Sequence, residues 1–366
     1  MINIFNTYID KSAFSKLSLI LQSTFLSEGK MTKQFEDQLF QKLGLINPIA
    51  VNSGTSALHL ALDLAGIKEG DEVITTPQTF VATALAILYM KAKPIFVDIQ
   101  YETGNIDPQT IEKKITKKTK AILIVDWAGY PCDLEEINKI AQKNKLIVIE
   151  DAAHALGATY KNQPIGSISP LTCFSFQAIK HVTTGDGGAI SCLNNNLARM
   201  GFTKRWFGID RLNSLPSILG ERQYDISKIG YKYHLNDYAA TLGLANLINL
   251  KKRLKKRQKI AYHYQKELIK IKGIKLFNYQ KDRESSYWLF GFHVENRENF
   301  IKAMRERQIM TSVIHQRIDH NTIFGGKTKN LTNQEKFDQT QINIPIHDAL
   351  SEQDVNYIIS SIKKGW

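Results

Sequence analysis

The sequence predicts an α/β protein whose larger part is a mainly parallel sheet flanked by helices, followed by a smaller α+β domain. Two observations lead there. The runs at 94–97, 121–125, 146–149 and 172–176 are apolar throughout rather than alternating, as in strands buried on both faces. Between them lie helical segments with start signals, Asp107-Pro108 before residues 109–116 and Asp133 before residues 134–143. Strand, helix and strand in succession imply a parallel sheet covered by the connecting helices.

Taken in order, the chain starts amphipathically, with Phe14, Leu17 and Leu21, then Phe35, Leu39 and Leu43 ending at Gly44. The alternation of strands and helices occupies about 48–192. From about residue 252 the pattern changes to a basic helix, a strand at 287–294, a helix near 297–307 and a last helix near 352–364. This gives a large domain at 1–251 and a small one at 252–366, and a chain of 366 residues with 43% hydrophobic content can fill both cores.

Composition narrows the function. No segment approaches the roughly 18 apolar residues a membrane helix needs, and the start lacks the features of a signal peptide, so a cytoplasmic protein is expected. Cys132, Cys173 and Cys192 are too scattered for a disulfide framework or a zinc site and are expected in the core. The net charge of +13 admits nucleic acid, membranes or small anions. Its densest run, 251–259, carries an apolar stripe (Leu247, Leu250, Leu254, Ala261, Tyr264, Leu268) interrupted at Arg257. It is expected to be a solvated helix face, and no nucleic-acid-binding motif accompanies it.

Ligands of such sheets gather at the carboxyl ends of the strands, and three features fall there. Ser53-Gly54-Thr55-Ser56 follows a short strand and opens a helix, a cradle for phosphate through free N–H groups and hydroxyls. Alone, such a sequence is more often a helix cap. Glu150-Asp151-Ala152-Ala153-His154 ends a buried strand, where a carboxylate needs a cation or several donors, such as a protonated pyridine nitrogen. Nothing supplies the spacing of a metal site. Lys180 lies between the buried run ending at Phe176 and the turn Gly185-Asp186-Gly187-Gly188, where desolvation lowers an amine's pKa and frees it for imine chemistry.

The motifs Ser-Gly-Thr-Ser-Ala-Leu, Thr-Phe-Val-Ala-Thr-Ala (79–84), Glu-Asp-Ala-Ala-His-Ala-Leu-Gly-Ala (150–158) and Phe-Ser-Phe-x-x-x-Lys-x-x-Thr-Thr-Gly-Asp-Gly-Gly, in this order, resemble the DegT/StrS family of sugar aminotransferases. The resemblance implies the fold type I architecture of aspartate aminotransferase, pyridoxal 5′-phosphate as cofactor and a homodimer with shared active sites. By it, Lys180 holds the cofactor as a Schiff base and Asp151 partners the pyridine nitrogen. Gly54, Thr55, Ser56 and Ser175 match phosphate-loop positions, Phe80 the aromatic residue stacked on the cofactor, and His154 a neighbour beside it. Where the family has an asparagine reaching the partner subunit's phosphate, this chain has Lys232. Where the family commonly has a histidine, it has Asp126.

The expected reaction moves an amino group from L-glutamate to a nucleotide-linked 4-keto-6-deoxyhexose at C4, with amination of a 3-keto sugar at C3 as the alternative. Lys204, Arg205, His315 and Arg317 are the candidates to bind the nucleotide sugar. Two rival readings are a sugar dehydratase of the same fold, in which histidine replaces the lysine and His181 adjoins the site, and a non-catalytic regulatory or nucleic-acid-binding protein. The position of Lys180 in its motif disfavours the first, and intact Lys180 and Asp151 disfavour the second.

Overall fold

A computed structural model describes residues 1–211 and 213–366. Two helices, α1 (Ser12–Ser23) and α2 (Lys30–Leu43), precede a seven-stranded sheet. Its strands are β1 (Ile49–Val51), β2 (Glu72–Thr75), β3 (Lys93–Phe96), β4 (Thr119–Val125) and β5 (Ile147–Asp151), then, after the short strands β6 (Thr159–Tyr160) and β7 (Gln163–Pro164), β8 (Leu171–Ser175) and β9 (Gly188–Cys192). The helices between them are α3 (Gly54–Leu64), α4 (Ala82–Tyr89), α5 (Pro108–Ile111) and α6 (Leu134–Lys143). The strand order is β1-β9-β8-β5-β4-β2-β3. Strands β3, β2, β4, β5 and β8 run parallel, and β9 alone is antiparallel to its neighbours.

Alternate residues of one strand serve opposite cores, which is why the strands read as unbroken apolar runs. Ile122 and Ile124 of β4 pack with Phe35 and Leu39 of α2 and Ile137 of α6. Their neighbours Ala121 and Leu123 pack with Leu58 and Leu62 of α3 and Ile87 of α4. All three cysteines are free and buried.

Beyond the sheet come α7 (Asn195–Lys204), the hairpin β10 (Leu215–Pro216) and β11 (Arg222–Gln223), α8 (Asp237–Asn246) and α9 (Leu250–Leu268). The remainder contains β12 (Ile274–Leu276), β13 (Arg283–Glu284), β14 (Phe290–Val294), α10 (Arg297–Glu306), α11 (Thr332–Thr340), β15 (Gln341–Ile344) and α12 (Glu352–Lys363). Here β12, β14 and β15 form an antiparallel sheet covered by α10, α12 and the second half of α9. Helix α9 joins the two parts: Leu250 and Leu254 belong to the sheet core, and Ile260, Tyr264 and Leu268 to the smaller one. The change of character near residue 252 thus falls within one continuous helix.

Three local features differ from expectation. The basic face of α9 is not uniformly solvated, because Arg253 and Arg257 are buried. Arg253 donates to the carbonyls of His181 (2.7 Å) and Asn246 (2.6 Å), Arg257 to those of Tyr287 (3.3 Å) and Ile346 (2.9 Å), and both lie near Asp348. The helix expected at 109–116 is one turn, α5, continued by a 3-10 turn over Glu112–Lys114 before Ile115 becomes extended. The strand expected from residue 287 begins at Phe290, because Tyr287 has φ +49° and the chain turns inward there.

Candidate active site

A cavity of about 300 Å³ opens at the carboxyl ends of β4, β5 and β8, lined by residues from the 53–55 turn, α4, the segments after β5 and β8, and the C-terminal part of the chain. Asp151 ends β5 and is 5% exposed. Its Oδ2 accepts the Thr83 hydroxyl at 2.8 Å and its Oδ1 the Ala153 N–H at 3.2 Å. Thr83 spends its only hydroxyl proton on Asp151, so the 2.7 Å contact between Thr79 and Thr83 has Thr79 as donor. Burial raises the Asp151 carboxyl above its ordinary pKa, opposed by these donors and by Lys180.

Lys180 follows β8, its backbone N–H donating to the Gln177 carbonyl. Burial lowers its amine to about 7, with Asp151 pulling the other way. The amine therefore exists in both protonation states near neutral pH. Nζ lies 3.8 Å from the centre of the Trp288 ring. His154 stacks on Trp288 at 3.7 Å and 15°, and burial holds its imidazole well below the ordinary pKa, hence neutral. His315 is lowered to about 4 for the same first reason and stands 5.3 Å from the half-exposed ring of Phe80.

Ser53 caps α3, its Oγ accepting the Ser56 N–H at 3.0 Å. The N–H groups of Gly54 and Thr55, in the first turn, have no intrahelical acceptor and face the cavity rim, the arrangement that binds anions. A Cβ on Gly54 would sit 2.9 Å from the Ser175 Cβ, so only glycine lets the turn approach the end of β8 this closely. Ser56 is turned away from the cavity, its hydroxyl donating to Asn52 Oδ1 at 2.6 Å.

The structure thus gathers Gly54, Thr55, Phe80, Asp151, His154, Ser175, Lys180 and His315 around one cavity. Other candidates lie elsewhere. Lys204 pairs with Asp63, Arg205 with Glu28 and Glu36, and Arg317 forms two 2.7 Å bonds with Asp319. These three cations are buried and neutralised by the chain's own carboxylates, so they are not available to a diphosphate in the cavity. Lys232 is exposed, its amine 3.7 Å over the Trp206 ring and away from this cavity. His181 is buried with Nε2 against the Ser286 carbonyl at 3.0 Å, so it does not take the place of Lys180.

Sequence reasoning missed Trp288, Thr79 and Thr83 as individual contributors. The two threonines stand in the 79–84 motif, Thr79 in the bend before α4 and Thr83 in its first turn. Trp288 has no such signal; it enters through the turn at Tyr287. Ile314, preceding His315, has φ +61°, a strained value for a β-branched residue.

Behind the site, Asp126 and Glu150 are fully buried on the far face of the sheet. Asp126 Oδ1 accepts the Cys132 N–H at 2.9 Å and Glu150 Oε2 the Thr172 hydroxyl at 3.1 Å. The remaining oxygens, Asp126 Oδ2 and Glu150 Oε1, have no hydrogen-bond partner in the structure, and the two carboxyls lie close enough to act on each other electrostatically. Burial, then the neighbouring Glu150, raises Asp126 well above the carboxylate range, so Asp126 holds a proton.

The cavity fits pyridoxal phosphate: an anion cradle at the α3 start, a buried carboxylate for a protonated ring nitrogen, an aromatic wall and an amine of lowered pKa. Among the described residues no group of three or more His, Cys, Asp or Glu could hold a metal, and no helix is long and apolar enough to cross a membrane. The profile of the DegT/DnrJ/EryC1/StrS aminotransferase family matches residues 7–363. The UDP-4-amino-4,6-dideoxy-N-acetyl-beta-L-altrosamine transaminase of Campylobacter jejuni is 33% identical, over 98% of this chain and 97% of its own. The UDP-4-amino-4-deoxy-L-arabinose--oxoglutarate aminotransferase of Shewanella sediminis is 31% identical over 97% and 96%. The sugar aminotransferase CalS13 of Micromonospora echinospora superposes with a TM-score of 0.95 at 31% identity, covering 100% of both chains. The chain belongs to the DegT/DnrJ/EryC1/StrS aminotransferase family and is a pyridoxal-phosphate-dependent sugar aminotransferase.

Proposed function

We propose that this enzyme transfers the amino group of L-glutamate to C4 of a nucleotide-linked 4-keto-6-deoxyhexose, with Lys180 as the reacting amine. The observation that carries the role of Lys180 is its placement: an amine with a pKa near 7 in the same cavity as buried Asp151 and the open turn of α3. The C4 position is supported by the two transaminase relatives, whose names both specify 4-amino sugars. The second also names oxoglutarate, the keto acid that glutamate becomes.

When bound, pyridoxal phosphate supplies an aldehyde that bonds to amines and a ring that accepts electrons from the adjoining carbon. The residues supply position and protons. The Gly54 and Thr55 N–H groups and the Ser175 hydroxyl would hold the phosphate, and Phe80 would cover the ring. Asp151, whose ionised form Thr83 and the Ala153 N–H favour against burial, would face the ring nitrogen and keep a proton there. Nζ of Lys180 takes the proton from the α-carbon of the donor, a task suited to an amine whose pKa matches the working pH. Neutral His154 and His315 add no positive charge that would push the lysine proton off prematurely.

We further propose a homodimer with shared active sites. Phe14 and Leu21 of α1, Phe25, and Ile218 and Leu219 of the β10–β11 hairpin are exposed apolar side chains that an interface would cover. In such a dimer Lys232 would be the candidate to meet the partner subunit's cofactor phosphate as a point charge. Incubation with L-glutamate and the 4-keto or the 3-keto isomer, read by mass and NMR, tests the substrate. Nitrogen at C4 is expected, and amination at C3 alone contradicts the reading.

A further inference from the structure

Trp288 is a large side chain of the cavity that the reaction outlined above does not use. It is 1% exposed and held on several sides. Its Nε1 donates to the Ile179 carbonyl at 3.0 Å, directly before Lys180 in the chain. Phe5, from the N-terminal segment, stacks on it at 5.1 Å, and His154 stacks at 3.7 Å. The backbone beside it is anchored too, with the Leu289 N–H on the Ala128 carbonyl and the Ser286 N–H on the Gly129 carbonyl. The ring therefore has one orientation, and the amine of Lys180 lies 3.8 Å from its centre.

We propose that Trp288 is a positioning residue for Lys180: its indole is the seat on which the free ε-ammonium rests inside the cavity, fixing where the amine waits between its bonded states. The electron-rich face of an indole attracts a cation, most strongly where water is excluded. The inference rests on the reading that Lys180 is the reacting amine.

The other groups facing Nζ do not provide such a seat. Asp151 attracts the ammonium but is already engaged by Thr83 and Ala153. His154, His181 and His315 are each held neutral by burial, with Arg253 and Arg257 lying behind His181. Asp186 is exposed at the cavity rim. The seat opposes the desolvation that would otherwise leave the amine uncharged, so its removal shifts Lys180 further toward the neutral form.

The test uses the cofactor-free protein. Labelling of Lys180 by a small acylating reagent is followed against pH by peptide mass spectrometry in wild type, Trp288→Phe and Trp288→Leu. The leucine variant is expected to lower the labelling midpoint by about half a unit to one and a half units, with phenylalanine retaining most of the wild-type value. An unchanged midpoint in Trp288→Leu, or an equal shift in both variants, overturns the proposal. If the leucine variant does not fold, the wild type decides: after reductive ¹³C-methylation, the Lys180 N-methyl signal, assigned by its absence in Lys180→Arg, is expected upfield of the other lysines through the indole ring current. A signal at the ordinary position overturns the proposal. Failure of pyridoxal phosphate to bond to wild-type Lys180 would instead sink the proposed function and leave the seat intact.

Discussion

At Asp151 the chain places a carboxylate where water cannot solvate it and compensates with two donors from neighbouring segments. Removing one isolates its contribution. Thr83→Val is expected to raise the Asp151 pKa further, since the lost hydrogen bond was lowering it, and to move the acid limb of kcat/KM upward by about one pH unit or more. An unmoved acid limb would show that Thr83 does not tune Asp151. The Asp126–Glu150 pair has the opposite logic. Its Asp126 pKa is raised in the folded state, so the stabilisation linked to that proton is complete below the unfolded carboxyl pKa and is lost as pH rises through the raised value. Asp126→Asn keeps an acceptor for the Cys132 N–H without titrating. Thermal melts across pH are expected to show less alkaline loss of stability than in wild type, whereas Asp126→Ala costs about 1–3 kcal/mol by leaving the buried Cys132 N–H unpaired.

Elements explain which of these residues could be read from the sequence. Lys180, Asp151 and the 53–56 turn were legible because each follows an unbroken apolar run, and a parallel sheet brings strand ends together. Ser56 marks the limit of that reading: it belongs to the turn, but a helix start points its fourth residue inward. Lys204, Arg205 and Arg317 were candidates by charge and position alone, and their partners Asp63, Glu28, Glu36 and Asp319 are invisible to a charge count. Helix α9 shows the same blindness within one basic run. Arg257→Ala should destabilise the protein by about 3–5 kcal/mol, since it removes the nearer of the two cations beside buried Asp348 and strands two carbonyls. Exposed Lys255→Ala should stay within about 0.5 kcal/mol. Denaturant midpoints of the two variants compare them directly, and equal shifts would mean that Arg257 is not structurally committed.

Over the whole molecule, the site is assembled from parts far apart in the chain. Phe5 backs Trp288, residues 53–55 and 80 form one wall, 151–180 the floor, and His315 the opposite side. Ile2 adds a backbone bridge to Ile309 and packs in the smaller core, so the first residues tie the C-terminal part to the cavity. No periodicity in a start such as Met-Ile-Asn-Ile-Phe announces that role, because a single extended segment has no repeat to detect. The same scale governs assembly. Substituting Phe14 and Leu21 together by aspartate is expected to shift the protein toward monomer in sedimentation and to reduce activity with it; an unchanged mass would place any interface elsewhere. The measurement that bears most directly on the whole account is the location of the cofactor. Pyridoxal phosphate is added, the C=N link is reduced with borohydride, and the peptides are mapped by mass. The label is predicted on Lys180 and absent from Lys180→Ala, and a label confined to another lysine, or none, would contradict the site described here.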